Sequence, residues 1–166
     1  IWLDRSRPLK DGTDLVFGPT LSWLPAAQRR EVVDAPVTEP GQAARAMALN
    51  ANYVRLVRRL FDAGVTLVAG TDNLAGLSYH GELEIYERAG IPAPQVLQIA
   101  TLIPARVMKE GKEYGSIAAG KVADLVIVNG RPTERITDLR KTERVMRAGR
   151  LYSSRDLYAL VGVVAR

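Results

Sequence analysis

Ala63-Gly64-Val65-Thr66-Leu67-Val68-Ala69-Gly70-Thr71-Asp72 decides how the rest of this chain is read. Val65 to Ala69 is a short apolar run, rich in β-branched residues and bounded by glycines, and this predicts a buried strand. The chain then turns at Gly70 and delivers one carboxylate, Asp72. Where parallel strands alternate with helices, ligands and chemistry sit at the carboxyl ends of the strands. Asp72 is therefore a candidate for chemistry, weighed against the commoner fate of such an Asp as a turn-former or helix cap. A second Gly-Thr-Asp, Gly12-Thr13-Asp14, serves as a control. It precedes the strand candidate Asp14-Leu15-Val16-Phe17 instead of following it, and reads as a turn.

Helices flank the decisive stretch. Thr38-Glu39-Pro40 looks like a helix start, and Ala46, Leu49, Tyr53, Val57 and Leu60 recur at spacings of three and four. That pattern predicts an amphipathic helix closed by Gly64 in a left-handed cap. Upstream, Thr20 to Pro40 is loop-like, with one helical turn at Ala26 to Val33. Ser78 to Ala89 is a second helix closed by Gly90, with Glu82, Glu84 and Glu87 on a solvated face beside partners such as Arg88. Ala93 to Ile103 is a third, with Val96, Leu97, Ala100 and Ile103 inward, and Pro104 starts a fresh turn over Ala105 to Met108. After Gly111 the texture turns strand-like. Ala123 to Val128 is a strand candidate, and Glu143 to Met146 with Arg150 to Tyr152 reads as a hairpin across Ala148-Gly149. The tail is a final helix or strand. Two domains are expected, residues 1–111 and 112–166.

The 166 residues, 47% of them hydrophobic, suffice for a core. Cysteine is absent, which excludes a disulfide framework and a thiolate metal site and is compatible with a reducing, cytoplasmic compartment. No stretch approaches the roughly 20 apolar residues of a membrane span. Ile1-Trp2-Leu3-Asp4-Arg5 is not a signal peptide, and the chain lacks a starting Met, so targeting is not legible here. The net charge of +5 is scattered and interleaved with acids, and only 6% of residues are aromatic. A solvated surface explains this better than a nucleic-acid interface.

Four stretches then combine: Gly18-Pro19-Thr20-Leu21; Ala63 through Asp72; Ala100-Thr101-Leu102-Ile103-Pro104-Ala105-Arg106; and Gly115 through Val126. In this order and spacing the chain resembles the carboxyl-terminal portion of the amidohydrolase superfamily of metal-dependent hydrolases, nearest its imidazolonepropionase and Xaa-Pro dipeptidase-like branch. The resemblance implies an α/β fold: the last part of a distorted (β/α)8 TIM-like barrel, plus the carboxyl-terminal strands of a small β-sandwich. Leu15–Phe17 is then similar to the seventh barrel strand and Thr66–Ala69 to the eighth. Asp72 matches the family's aspartate after strand eight, which contacts the metal and takes a proton from the attacking water.

A divalent ion lowers the pKa of bound water from about 16 to about 7, and a neighbouring carboxylate accepts the proton during attack. The resemblance thus implies a divalent cofactor, zinc or a similar ion, one or two in number. The family's His-x-His after strand one, its bridging Lys or Glu, and its later histidines have no counterpart here, because His80 is the sole histidine. The co-ligands are expected outside this chain, which on this view is part of a longer enzyme and inactive alone. His80, in His80-Gly81-Glu82-Leu83, resembles a His-x-Glu-Leu segment of this branch and is a weaker candidate for substrate contact, against a plain helix-start histidine. Trp23, in the long loop, is another, against ordinary packing. The expected partners are a small-molecule substrate and the remainder of the enzyme or another subunit, with a homo-oligomer as an option; neither nucleic acid nor membrane is expected. The alternative is a non-catalytic structural or interaction module derived from such an enzyme.

Overall fold

The computed structural model describes residues 24–27, 30, 42–71 and 78–160. The element order is α1 (Gln42–Asp62), α2 (Ser78–Arg88), α3 (Ala93–Ala100), α4 (Leu102–Val107), β1 (Leu125–Val128), a 3₁₀ helix (Ile136–Lys141), β2 (Thr142–Arg147), β3 (Arg150–Ser153) and α5 (Ser154–Leu160). It is an α/β arrangement in which the strands form one antiparallel sheet, β1-β2-β3. Asp72, Trp23, the Leu15–Phe17 strand and the helix start at Thr38-Glu39-Pro40 lie outside the described residues.

The helix stops follow the glycines. At the end of α1, Val65 N–H donates to Leu60 O and Gly64 N–H to Phe61 O, both at 3.0 Å, with Gly64 at φ +73°. Such paired closure needs a left-handed residue, which glycine adopts without a Cβ penalty. Ile91 N–H to Tyr86 O (3.2 Å) and Gly90 N–H to Glu87 O (2.8 Å) repeat it after α2. The expected break before Pro104 comes earlier, at Thr101 (φ −133°, ψ −76°). A proline ring clashes with the carbonyl four residues back, so the disruption from Pro104 falls on Ala100–Thr101. Pro104 itself then sits in the first turn of α4, where no N–H is required.

Leu83, Ile91, Val96, Ile99 and Ile136 are the largest fully buried side chains, and each stabilises the fold by about 1.5–3 kcal/mol. They join α2 and α3 to the 3₁₀ helix of the carboxyl-terminal unit. That 3₁₀ helix is absent from the sequence reading, which saw few helical signals in 112–152. The β2–β3 hairpin pairs Arg147 with Arg150 and Val145 with Tyr152 around Ala148 (φ +47°) and Gly149 (φ +80°), the two left-handed positions of a tight hairpin turn. Asp124 fixes that turn: it accepts from Ala148 N–H at 2.6 Å and from the Arg147 guanidinium.

Two expectations are corrected. Val65 to Ala69 is not a buried strand: the segment has no strand partner among the described residues, and Val65 and Val68 are 48% and 43% exposed. Leu67 and Ala69 alone turn onto the core, and Ala69 N–H donates to Ile99 O at 3.3 Å. An apolar run is buried throughout only when both its faces and both its edges are covered, and here α3 covers one side. Of the described α1 side chains, Val57 and Phe61 in the last turns pack on the core, while Leu49, Tyr53 and Leu56 stand about half exposed.

Candidate active site

The segment 65–71 leads toward Asp72, and α2 begins at Ser78, so the two described flanks of the Asp72 segment are Thr71 and Ser78. They meet: Thr71 Oγ1 lies 3.1 Å from Ser78 Oγ, and Ser78 is buried. A hydroxyl pair is suited to this closure, because either oxygen can donate or accept. Two residues on, His80 occupies the first turn of α2. Its Nδ1 is buried and has no hydrogen-bond partner among the described residues. Burial, and then the nearby positive charge of Arg140, lower its pKa to about 4, so the imidazole is neutral at physiological pH. A neutral imidazole with a free ring nitrogen can accept or donate a single proton-sharing bond, but it offers no cation to an anionic substrate.

The glutamates of α2 are not a solvated face, contrary to the sequence reading. Glu82 is buried and accepts from Tyr86 Oη at 2.7 Å. Burial raises the pKa of its carboxyl, and also raises that of the Tyr86 hydroxyl. Glu84 receives the Arg140 guanidinium, Nε to Oε1 at 2.6 Å. Glu87 Oε1 accepts from the backbone N–H of Ile136 at 3.0 Å. Two of the three thus tie α2 to the 3₁₀ helix. A single sequence shows three acids at helical spacing equally well for water or for a basic partner 56 residues away, so the pairing of Glu84 with Arg140 has no local signal.

Asp138 also escaped the sequence reading. It is buried, accepts from Arg131 N–H at 3.0 Å, and meets Arg135 and Lys141 at 2.9 Å each. Those donors, the Arg131 backbone N–H foremost, hold its carboxyl well below the usual carboxylate range. Gly130 lies so close that a Cβ there would come within 2.8 Å of Asp138 Cβ. Among the described residues its polar partners are donors from its own loop and the 3₁₀ helix, so Asp138 serves to close that loop.

A groove of about 500 Å³ opens elsewhere, lined by Phe61, Val65, Leu67, Ile103 and Val107 among others. It adjoins the amino-terminal end of the 65–71 segment, away from the end that leads to Asp72. Its walls are mainly apolar, with the Arg106 side chain as the charged exception. No group of three or more His, Cys, Asp or Glu residues gathers among the described residues.

The model of the amidohydrolase family matches residues 22–152. The chain belongs to the amidohydrolase family. That match spans the Asp72 segment, α2 with His80, and the carboxyl-terminal sheet. Among characterised proteins, the chain is similar to a 5-methylthioadenosine/S-adenosylhomocysteine deaminase of Moorella thermoacetica, at 33% identity over 49% of this chain and 22% of that protein. A deaminase of the same description from Syntrophobacter fumaroxidans is 30% identical over 49% of this chain and 21% of its own. Among solved structures, a Xaa-Pro dipeptidase with methionine bound in its active site superposes with a TM-score of 0.61 at 27% identity, covering 82% of this chain and 34% of that one. A prolidase complexed with N-methylphosphonate-L-proline gives 0.58 at 26% identity, over 84% and 33%. This amidohydrolase chain therefore spans about a fifth of the characterised relatives and a third of these structures.

Proposed function

We propose that this chain is the carboxyl-terminal part of a metal-dependent amidohydrolase that hydrolyses an amide-type carbon–nitrogen bond, in a cyclic amide or a dipeptide, with Asp72 as its general base. The family match running unbroken across Asp72 and α2 carries this reading. The relatives' descriptions support it, since a deaminase and a dipeptidase both cleave carbon–nitrogen bonds. On the same reading, residues 1–111 belong to a (β/α)8 barrel and 112–166 to a composite β-sandwich. The covered share of the solved neighbours supports a longer parent chain.

In this reading the Asp72 carboxylate receives the proton of the attacking water and returns it to the leaving nitrogen. A short side chain suits both transfers, because its carboxylate swings less than a glutamate's. His80, neutral, contributes a hydrogen bond near the substrate, and Trp23 an apolar wall. The described residues do not form a metal centre. A catalytic zinc typically takes three protein ligands and an open position, so one Asp cannot hold it. The zinc or similar divalent ion of this reading is held mainly by residues beyond these 166. The exposed apolar faces of α1 and residues 65–69 are assigned to contact with the rest of the enzyme or with another subunit. A cytoplasmic location belongs to the same reading, with which the absence of cysteine is compatible; no described helix is long and apolar enough to cross a membrane.

Asp72→Asn in the complete protein tests the assignment. Hydrolysis of a panel of Xaa-Pro dipeptides and cyclic amides should fall by about 10²–10⁴-fold in kcat, the usual contribution of a positioned general base. Unchanged turnover would remove Asp72 from the chemistry and favour a non-catalytic module.

A further inference from the structure

The groove lined by Phe61, Val65, Leu67, Ile103, Arg106 and Val107 has unmet needs of three kinds. The first is apolar: about 500 Å³ lies open although Ile99 and Leu67 in its lining pack in the core, and Val65 and Val107 are 48% and 54% exposed. The second is in the backbone of residues 64–67, which forms part of the lining. Among the described residues, the N–H groups of Thr66, Leu67 and Val68 have no acceptor, while Val65 N–H turns back to Leu60 O and Ala69 N–H goes to Ile99 O. Peptide N–H groups beside an apolar surface are met by carbonyl oxygens, and an apolar ligand cannot supply them. The third is the charge of Arg106, whose stem rests on the turn after α4: a Cβ at Gly111 would lie 3.3 Å from Arg106 Cγ. No carboxylate among the described residues pairs with its guanidinium, whereas Arg58, Arg131, Arg135, Arg140 and Arg147 each have one. Once such a groove is filled, water screens the guanidinium less and a carboxylate there is held more strongly.

We propose that this groove receives a segment of the longer parent chain that is apolar but for one Asp or Glu. Its carboxylate meets Arg106, and its backbone carbonyls meet the N–H groups of residues 66–68. The proposal rests on the reading of this chain as part of a longer amidohydrolase. It adds where on the described surface the remainder docks and which side chain selects it. The chain spans 34% of the Xaa-Pro dipeptidase structure it superposes on, so a longer parent has ample length to supply the segment. A small amphipathic carboxylate would answer Arg106 and the apolar walls but leave the three N–H groups unmet. A polypeptide answers all of them.

Carbodiimide coupling in the complete protein tests it. Arg106→Lys is combined with Glu110→Gln, which removes the acid four residues away. The amine at position 106 can then be joined to a carboxylate in direct contact, with loss of one water, and mass spectrometry of the digest identifies both peptides. The expected product is an intrachain link from position 106 to an Asp or Glu outside these 166 residues. A link to a carboxylate within them, a link between two copies, or no link would overturn the proposal. Should that variant fail to fold, a thiol reports instead, since these residues contain no cysteine of their own. Val107→Cys in the complete protein should react with a maleimide about tenfold more slowly than Ile117→Cys, which is 87% exposed and outside the groove. Equal rates would show an open groove and overturn the proposal. The intact mass of the protein from its native host separates this proposal from the reading beneath it. A mass of 166 residues removes both, whereas a longer protein with a freely reactive Val107→Cys removes the groove's occupant alone.

Discussion

Helix α2 and the face presented by α1 with residues 65–69 invert the usual division of labour. The first carries three carboxylates, Glu82 buried and Glu84 and Glu87 half-buried; the second is rich in leucine, valine and tyrosine and is open. Glu82, Glu84 and Glu87 are taken from water because a phenol, a guanidinium and a backbone N–H meet them one for one. Leu49, Tyr53, Leu56, Val65 and Val68 remain about half exposed because no described element lies over them. Burial is decided by the partner that topology brings, and the polarity of the side chain only sets what that partner must be.

The largest expected effect tests how tightly the closed side is packed. Gly115 sits at φ +83°, and a Cβ there would lie 2.7 Å from Ala105 Cβ and 2.8 Å from the Thr101 carbonyl oxygen, against the break between α3 and α4. Gly115→Ala should cost about 3 kcal/mol, combining left-handed strain with overpacking, and would be read from the denaturant midpoint. A loss within experimental error would mean that this loop yields, and that the closed side is looser than its contacts suggest.

Acid sharpens the comparison next. His80 has a folded pKa of about 4 against about 6.5 unfolded, so below pH 6.5 the unfolded chain binds a proton that the folded one refuses. Stability should therefore fall between pH 6.5 and 4, by roughly 3 kcal/mol in total. His80→Gln should flatten that part of the profile. Glu82 works in the opposite sense: its raised carboxyl favours the protonated folded state, giving stability at low pH that is lost as pH rises through its folded value. Asp138 is depressed, so its contribution is present above about pH 3.9 and is lost further into acid. An unaltered pH profile in His80→Gln would mean that the imidazole is not sequestered.

Much of this was legible in the sequence, and the reasons for the failures are physical. Gly64 and Gly90 announced both helix ends, because left-handed closure leaves few other residues free to serve. Ala148-Gly149 announced the hairpin on the same grounds. The family was legible from four separated stretches, none of them sufficient alone. Burial of Val65–Ala69 was not, since hydrophobicity reports what a segment needs and not whether a neighbour supplies it. The Glu84–Arg140 grip was invisible because its partners lie 56 positions apart with no local signature. The 3₁₀ helix escaped because Ile136–Lys141 is too short for a periodic signal, and its acid and bases resemble those of a loop.

A smaller effect compares one ion pair from each environment. A double-mutant cycle of Glu84→Gln with Arg140→Met should give a coupling of about 2 kcal/mol, since removing either partner strands a desolvated charge. The cycle for Arg58 and Asp62, whose side chains are 42% and 52% exposed, should be indistinguishable from additivity. Equal couplings would mean that water reaches Arg140 as freely as it reaches Arg58.

The smallest effect probes the open face, and its value lies in being small. Leu56→Ser removes an apolar side chain that this chain leaves half exposed, so in the 166-residue protein the denaturant midpoint should move by less than about 0.5 kcal/mol. Val96→Ala, at a site with no exposure, should by contrast cost about 1–3 kcal/mol. If the open face is where the remainder of a hydrolase docks, the same Leu56→Ser placed in the complete protein should cost about 1–2 kcal/mol, because the side chain would then be leaving a packed interior. Near-zero cost in both settings would mean that this face of α1 stays open to water in a longer protein as well, and would remove the proposed docking of further hydrolase elements on it.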